Sequence, residues 1–447
     1  MSHLLSGLVL ALAGYALYRR VEVRLVLLLA ATALAIIAGQ LHVLARTFLH
    51  ACADEKFVVP ICCAMGFAYV LKLTQCDTHL VLLLIQPLRR VRPLLVPGTV
   101  VAGALVNIPI ISQTSTALTL GAVLVPVLQA AGVPLTTIGA ALLLGSSIGG
   151  ELLNPGASEL ATVTKAVSEK FQRQLQPADC VVVIAPLLLV HLAVTLSCFT
   201  LLTRRRPPAA SESPAPPASE PQPTLSVRWD KALVPLLPLA LLFIVGPPLN
   251  LVTIPETWLL APEEKSGFSI RLIGAAMLIG VVAAALTDRA ASGKTMTAFF
   301  EGAGYAYTHI ISLIVVGTCF GKAVELSGLA NDLGELIKRF PGLLLPAAAL
   351  LPLAFAALSG SGIGATNSLY GFFVEPCRAL DVDPVVVGAL VSLGSAAGRT
   401  MSAVAAVALM CASLTQTTSF VLVRLVALPL LTGIAVVVAV VAAGWLP

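Results

Sequence analysis

The chain alternates long apolar stretches with short polar segments along its 447 residues. Most of the apolar stretches run for about 15 to 25 residues, the length that a helix needs to cross a hydrocarbon core of about 30 Å. We therefore predict an all-α polytopic membrane protein that faces the lipid bilayer. Spans are predicted at Leu4 to Tyr18, Arg24 to Ala45, Phe57 to Leu73, Pro134 to Thr164, Cys180 to Leu202, Ala232 to Leu249, Ile270 to Leu286, Tyr305 to Leu326, Asp383 to Leu414 and Phe420 to Leu446.

Two further apolar stretches, near Pro93 to Gln129 and Pro341 to Leu380, are interrupted halfway by runs of Ser, Thr, Asn and Gly. Such runs cannot face lipid, because each unpaired backbone group in hydrocarbon costs several kcal/mol. The pattern predicts two re-entrant hairpins whose polar tips are buried in protein or line a water-filled cavity.

A polar segment from Arg204 to Arg228, rich in Pro, Ser and Ala, separates the two halves of the chain. It is too polar to pack a core, so we predict a linker between an N-terminal repeat at 1–203 and a C-terminal repeat at 229–447. Each half contains five predicted spans and one hairpin, and an odd number of spans gives the halves opposite orientations. Cytoplasmic loops retain basic residues, which places the linker in the cytoplasm and both termini outside. The other basic clusters on the cytoplasmic side are Arg19, Arg20, Arg24, Arg89, Arg90 and Arg92.

The two halves also resemble each other in sequence. PVLQAAGVPLTTIGAALLLGSSIGGE, which starts at residue 126, aligns with PCRALDVDPVVVGALVSLGSAAGRT, which starts at residue 376. Pro134 matches Pro384, and with one residue of slippage Gly145 matches Gly394. Inverted repeats with interrupted apolar segments at corresponding positions are typical of secondary transporters, whose site lies near the bilayer midplane.

The composition agrees with lipid as the solvent, because 58% of residues are hydrophobic and only 11% are charged. An ordinary soluble domain carries about 25% charged residues. Nine cysteines occur without a pair of CxxC motifs, and no histidines have metal-ligand spacing, so neither a metal site nor a disulfide framework is predicted. HExxH and GxxxxGK[ST] motifs are absent, which makes a membrane-embedded enzyme a remote alternative and argues against an ATP-driven pump. No cofactor and no nucleic-acid partner is predicted.

Four polar or glycine-containing breaks at membrane depth form the candidate site: the two hairpin tips, and one break in the span that follows each hairpin. A break leaves half-helices whose free N–H groups carry partial positive charge, which suits a carboxylate. Hydroxyls and amides add hydrogen bonds, and freed carbonyls can coordinate Na⁺ as a coupling ion. The predicted substrate-binding residues are Asn107, Ser112, Gln113, Thr114, Ser115, Thr116, Ser146, Ser147, Glu151, Asn154, Ser359, Ser361, Thr366, Asn367, Ser368, Ser395, Arg399 and Thr400.

Arg399 and Glu151 are the two formally charged residues inside these breaks. A charge within the membrane costs at least about 2.5 kcal/mol, so both side chains should face a cavity or a partner. Two interpretations remain open: Arg399 holds a substrate carboxylate through a two-pronged hydrogen bond, or Arg399 and Glu151 neutralise each other.

Other polar residues near the spans are kept out of the site. His191 and His309 lie in or near spans, where a histidine more often makes a helix-to-helix hydrogen bond than it relays protons. Lys322 and Glu325 lie near a span end and are interpreted as interfacial.

The second hairpin, SGSGIGATNSLYGFFVEP from Ser359, and the GRTMS from Gly398 resemble the DcuC-type family of anaerobic four-carbon dicarboxylate carriers, within the ion transporter superfamily. The resemblance covers most of the chain. CAMGFAYVLKLTQCDTHLV from Cys63 and the first hairpin fit that family more loosely. GGELLNP from Gly149 departs from the pattern, because the corresponding segment of the family is mostly apolar.

This resemblance implies a scaffold domain and an elevator-type transport domain that holds both hairpin tips, within a homodimer in the cytoplasmic (inner) membrane. It also implies transport of succinate-like dicarboxylates, coupled to Na⁺ or H⁺ or driven by exchange. The Glu in GGELLNP keeps alternatives open, since Glu151 could bind a cation, carry a coupling proton or receive the ammonium group of an amino acid. An amino-acid or other carboxylate carrier of the same superfamily is therefore the alternative.

Overall fold

The computed structural model describes residues 2–19, 21–86, 94–204, 226–247, 249–261, 267–328, 335, 337 and 339–445. These residues form helices and no strand. Seven helical stretches among them are long and apolar enough to cross a membrane. The predicted helical membrane protein is therefore confirmed, while the basic cluster at 89–92 and most of the predicted linker lie outside the described residues.

The described residues of the first half contribute ten α-helices. They are α1 (Ser2–Tyr18), α2 (Val23–Ile37), α3 (Leu41–Cys52), α4 (Glu55–Thr74), α5 (Cys76–Ile85), α6 (Leu95–Asn107), α7 (Gln113–Ala130), α8 (Leu135–Ser147), α9 (Ser158–Phe171) and α10 (Pro177–Arg204), with a 3₁₀ turn at Gly150–Leu153 between α8 and α9.

The described part of the second half also contributes ten α-helices. They are α11 (Trp229–Leu233), α12 (Leu237–Val245), α13 (Phe268–Thr287), α14 (Thr295–Ala306), α15 (Ser312–Leu326), α16 (Leu344–Ser359), α17 (Gly362–Leu380), α18 (Pro384–Thr400), α19 (Ala406–Leu414) and α20 (Ser419–Ala442). A π-helical turn at Tyr307–Ile311 joins α14 to α15.

The predicted single span from Arg24 to Ala45 is wrong. Helix α2 ends at Ile37 and α3 begins at Leu41, because Gly39 adopts a φ of +67°, a left-handed conformation that glycine reaches without strain. Helix α5 was not predicted, and it starts directly after Gln75, whose φ of 59° ends α4.

Each hairpin turns at a serine. Ser112 caps α7 by accepting a hydrogen bond from the backbone N–H of Ser115 at 3.3 Å, and Ser361 caps α17 by accepting one from Gly364 at 3.0 Å. Such a cap stabilises a helix start by about 1 kcal/mol. The first hairpin is thus α6 and α7 with a tip at 108–112, and the second is α16 and α17 with a tip at 360–361.

The sequence predicts the two breaks outside the hairpins at 145–151 with 154–156 and at 394–400, and the structure agrees with the first prediction only in part. Gly145 and Ser147 belong to α8, and Gly394 to Thr400 belong to α18. The chain leaves the α-helix only after Ser147 and again after Thr400, in the segments 148–157 and 401–405. The prediction therefore holds at 148–151 and 154–156, whereas 145–147 and all of 394–400 are helical, and the glycines in these helical parts have another role.

That role is close contact with the hairpins. A Cβ at Gly394 would lie 2.1 Å from the carbonyl oxygen of Ala349 in α16, and a Cβ at Gly398 would lie 2.1 Å from that of Leu353. In the first half, a Cβ at Gly145 would lie 2.9 Å from the carbonyl oxygen of Val100 in α6. Small residues let helix backbones approach closely in membranes, and here they seat the first arm of each hairpin on the helix that follows the hairpin.

Several helices of one half pack against helices of the other half. Helix α4 packs against α13 and α14, and α15 packs against α2 and α3. Helix α9 packs against α17 of the second hairpin, and α19 packs against α7 of the first. Helices α10 and α20 pack against each other. These contacts between the halves bring the two hairpins together with α8, α9, α18 and α19.

The Gly398→Ala substitution should destabilise the protein, because the added methyl group would overlap the Leu353 carbonyl of α16. Overpacking of this kind costs about 1 to 3 kcal/mol, more than the gain in helix propensity of about 1 kcal/mol. Thermal unfolding of purified protein in detergent measures the change.

Gly304→Ala in α14 is the matched control, because a Cβ there meets nothing within 4 Å. It should leave the melting temperature unchanged or raise it. Equal melting temperatures for the two variants would contradict the packing role of Gly398.

Candidate functional site

A buried ion pair joins the two halves of the chain. Nη2 of Arg399 lies 2.6 Å from Oε1 of Glu151, and the two side chains are 7% and 1% exposed. Arg399 belongs to the last turn of α18, and Glu151 belongs to the 3₁₀ turn after α8. The two charges are in contact in this structure, as one of the two interpretations of the sequence requires.

Hydrogen bonds around Ser147 fix the geometry of the pair. The guanidinium of Arg399 donates to the Ser147 carbonyl at 3.0 Å and to its Oγ at 3.2 Å. The Thr400 hydroxyl donates to the same carbonyl at 2.7 Å. These contacts tie the carboxyl end of α18 to the carboxyl end of α8, where a basic side chain also interacts favourably with the helix dipoles.

The tip of the first hairpin contacts the Glu151 segment. Oδ1 of Asn107 accepts a hydrogen bond from the Glu151 backbone N–H at 3.3 Å, and its Nδ2 donates to the Ile110 carbonyl at 3.0 Å. Nδ2 of Asn154 donates to the Ile108 carbonyl at 2.9 Å. Two of the predicted site residues, Asn107 and Asn154, therefore connect the first hairpin tip to the break after α8.

The tip of the second hairpin reaches the same ion pair from the other side. Nη1 of Arg399 lies 3.2 Å from the position that a Cβ would occupy at Gly362, the first residue of α17. Thr366, one turn further on, donates a hydrogen bond from its hydroxyl to Oγ of Ser395 in α18 at 2.9 Å. The guanidinium and the amino end of α17 thus add positive charge to one small region.

Only one carboxylate oxygen of Glu151 contacts that positive charge. Its Oε1 contacts Arg399, whereas its Oε2 is buried without a hydrogen-bond partner. A buried carboxylate oxygen without a partner is costly, so the Glu151 side chain is held by one strong contact and leaves its other oxygen free to accept a new donor.

Glu159 is a second buried carboxylate near the pair, and our sequence analysis missed it. It lies in the first turn of α9, is 3% exposed, and accepts a hydrogen bond from the Ser158 hydroxyl at 2.9 Å. It is close enough to interact electrostatically with Glu151 and Arg399. The sequence contains a clue to it, because Glu159 is an acidic residue that follows the break by a few residues within a stretch predicted to span the membrane.

A cavity of about 710 Å³ reaches the second hairpin arm and α9. Its lining includes Asn367 and Ser368 of α17 and Thr162 of α9. The Thr162 hydroxyl donates to Oδ1 of Asn367 at 2.5 Å, while the Ser368 hydroxyl is buried without a partner. Asn367 and Ser368 were predicted, and Thr162 was not.

Several predicted residues stabilise local structure and do not contact the ion pair through their side-chain hydrogen bonds. Ser146 donates to the Leu142 carbonyl of its own helix, and Thr116 donates to the Ile110 carbonyl at the first tip. Ser359 accepts from the Ser361 backbone N–H at 3.3 Å. The half-buried residues of the first hairpin tip and the first turn of α7 are Ser112, Gln113, Thr114 and Ser115.

The two histidines do not line the cavity of about 710 Å³, whereas Lys322 and Glu325 line it together with Asn367 and Ser368. His191 is buried where α10 crosses α20, against Gly433, and His309 is exposed and stacks on Tyr305 at 4.0 Å. Lys322 and Glu325 form an ion pair at 3.1 Å. Within the described residues, no group of three His, Cys, Asp or Glu side chains could hold a metal ion.

Comparison with known proteins supports membrane transport. No protein-family model matches the chain. The chain is 38% identical to a "Putative uncharacterized transporter" of Haemophilus influenzae over 125 residues, which are 28% of this chain and 86% of the relative. A second Haemophilus influenzae protein with the same description is 27% identical over 183 residues, 41% of this chain and 62% of that protein.

A solved structure shows a similar fold. The crystal structure of the Alcanivorax borkumensis YdaH transporter matches with a TM-score of 0.61 at 18% sequence identity, over 94% of this chain and 97% of that one. At this identity the likeness concerns the fold alone.

The ion pair generates a prediction about stability. Glu151→Gln and Arg399→Gln should each destabilise the protein by about 3 kcal/mol, because each leaves a buried charge without its partner. The double substitution should recover most of that loss, since it removes both charges. Thermal unfolding of the four proteins in detergent measures the coupling, and additive losses would mean that the two side chains do not depend on each other.

Proposed function

Because the chain belongs to the family of the 38%-identical Haemophilus influenzae transporter, we propose that it is a secondary transporter for a small carboxylate that binds at Arg399. The observation that carries this proposal is the position of the Arg399 guanidinium. It lies between the Glu151 carboxylate and the amino end of α17, in contact with both halves of the chain.

The proposed binding step is an exchange of partners. A substrate carboxylate replaces Glu151 at Arg399, where the planar guanidinium can form two parallel hydrogen bonds to it. The free N–H groups at the start of α17 add a second favourable contact. Glu151 already has one oxygen without a partner, so it loses a single ion-pair contact when the substrate enters.

Four-carbon dicarboxylates are the substrate class that we propose first. The second hairpin and GRTMS resemble dicarboxylate carriers, and the start of α7 offers another helix amino end for a second carboxylate. An amino acid is the alternative, because Glu151, once released from Arg399, is placed to receive an ammonium group.

The proposed transporter works through two inverted repeats and an elevator motion. The packing of helices from one half against helices from the other supports two inverted repeats. The packing of both hairpins on α8 and α18 supports a single moving unit. We further propose a homodimer in the inner membrane, with the linker in the cytoplasm and both termini outside. Transport is driven by Na⁺, by H⁺ or by exchange, and no cofactor takes part.

Uptake into proteoliposomes tests the proposed function. Labelled succinate, fumarate, malate, aspartate and glutamate are offered under imposed Na⁺ or H⁺ gradients and against internal substrate. Saturable uptake of the dicarboxylates supports the first proposal, and uptake restricted to the amino acids supports the alternative. Absence of uptake and of exchange for the whole panel would overturn both.

Arg399→Lys should lose at least about nine-tenths of this transport although the formal charge is kept, because an ammonium group cannot reproduce the paired hydrogen bonds of a guanidinium. Arg424→Lys, an exposed position on α20, is the matched control and should transport at the wild-type rate. A wild-type rate for Arg399→Lys would remove Arg399 from substrate binding.

A further inference from the structure

The candidate site contains more acidic than basic side chains. Counted over the whole residue, Glu151, Glu159 and Arg399 are 1%, 3% and 5% exposed. If both carboxyl groups were ionised, one negative charge would remain uncompensated in a region that water does not reach. An isolated buried charge is strongly unfavourable, and a carboxyl group avoids it by binding a proton.

We propose that Glu159 and Glu151 form a proton-binding pair that couples transport to H⁺. In the empty site, Glu159 holds one proton while Glu151 stays ionised against Arg399. In the occupied site, a substrate carboxylate takes Arg399 and Glu151 binds a second proton. This inference rests on the proposed function, and it names the coupling ion.

The contacts of the two carboxyl groups assign the first proton to Glu159. Glu151 lies 2.6 Å from a guanidinium, a contact that favours the ionised form. Glu159 has the Ser158 hydroxyl as its side-chain partner, and a hydroxyl also bonds well to a neutral carboxyl group. The buried Oε2 of Glu151, which has no partner, is the atom that the second proton would occupy.

The remaining titratable groups near α9 do not supply the missing positive charge. Helix α9 packs against α4, α10, α17 and α18, and Arg399 is the basic residue that α18 brings toward Glu159. Lys165 of α9 pairs with Asp54, so its charge is already balanced. Lys56 of α4 pairs with Glu169 at 3.9 Å, and Arg378 of α17 donates to the Lys170 carbonyl, both at the opposite end of α9 from Glu159. Cys62, Cys180 and Tyr370 also lie against α9, and they carry no positive charge.

Charge balance then determines how many protons move with the substrate. The empty site carries one guanidinium, one carboxylate and one carboxylic acid, and its net charge is zero. Arrival of one substrate carboxylate adds a negative charge, and the proton that Glu151 takes from water on the side of entry restores neutrality. The proton leaves with the substrate on the other side, so one proton moves with each carboxylate that Arg399 binds.

Infrared difference spectroscopy tests the first proton without any substrate. Purified protein at neutral pH should show the C=O stretching band of a protonated, buried carboxyl group. Glu159→Gln should lose this band and keep the wild-type melting temperature, because Gln has the shape of a neutral carboxylic acid. Exposed Glu301→Gln in α14 should change neither. A band that persists in Glu159→Gln, or a wild type without the band, would overturn the proposal.

Succinate transport tests the second proton. Wild-type proteoliposomes should accumulate labelled succinate under an inward H⁺ gradient in the absence of Na⁺. Succinate added to the purified wild type should also produce a second C=O stretching band of a buried carboxyl group, and this second band should appear in Glu159→Gln too, because Glu151 takes the second proton. A wild type that binds succinate without a second band, or that needs Na⁺ for accumulation, would overturn the proposal. Wild-type protein that exchanges no carboxylate would instead contradict the proposed function, and the infrared result would still stand on its own.

Discussion

A charge that is buried away from water needs an opposite charge or hydrogen bonds in compensation, and the centre of this molecule is organised around that requirement. Arg399 belongs to the second half of the chain, and Glu151 belongs to the first. Each is buried, so neither half can form this region alone without leaving a charge unpaired. The pair thereby couples the packing of the two halves to each other.

Close packing of the helices allows the two charged side chains to come into contact. The hairpins can reach the ion pair because glycines in α8 and α18 let α6 and α16 lie almost backbone to backbone against them. Serine caps then start α7 and α17 at the tips, and the amino end of α17 lies beside the guanidinium. Steric and electrostatic features of the sequence therefore act at the same place.

Much of this arrangement follows from the sequence because lipid restricts the choices. Long apolar stretches have to be helices, and polar interruptions such as 108–112 have to be buried, so the membrane helices and both hairpin tips could be predicted. The pairing of Arg399 with Glu151 was one of two interpretations, since both residues lie in predicted breaks at membrane depth but a sequence specifies no distance between them.

Other features depend on three-dimensional contacts that a single sequence does not specify. The sequence predicts a helix break at Gly394 and Gly398, but a glycine that permits close packing and one that ends a helix look alike until the neighbouring backbone is known. Glu159 was missed because its importance comes from two charges that belong to other segments. The bend at Gly39 was missed because the apolar pattern continues across it.

Determination of a structure with bound succinate by electron cryomicroscopy tests the central claim most directly. The account predicts a succinate carboxylate on the Arg399 guanidinium, between the two hairpin tips, with Glu151 displaced from its present contact. Succinate bound elsewhere, with the contact between Arg399 and Glu151 intact, would contradict it.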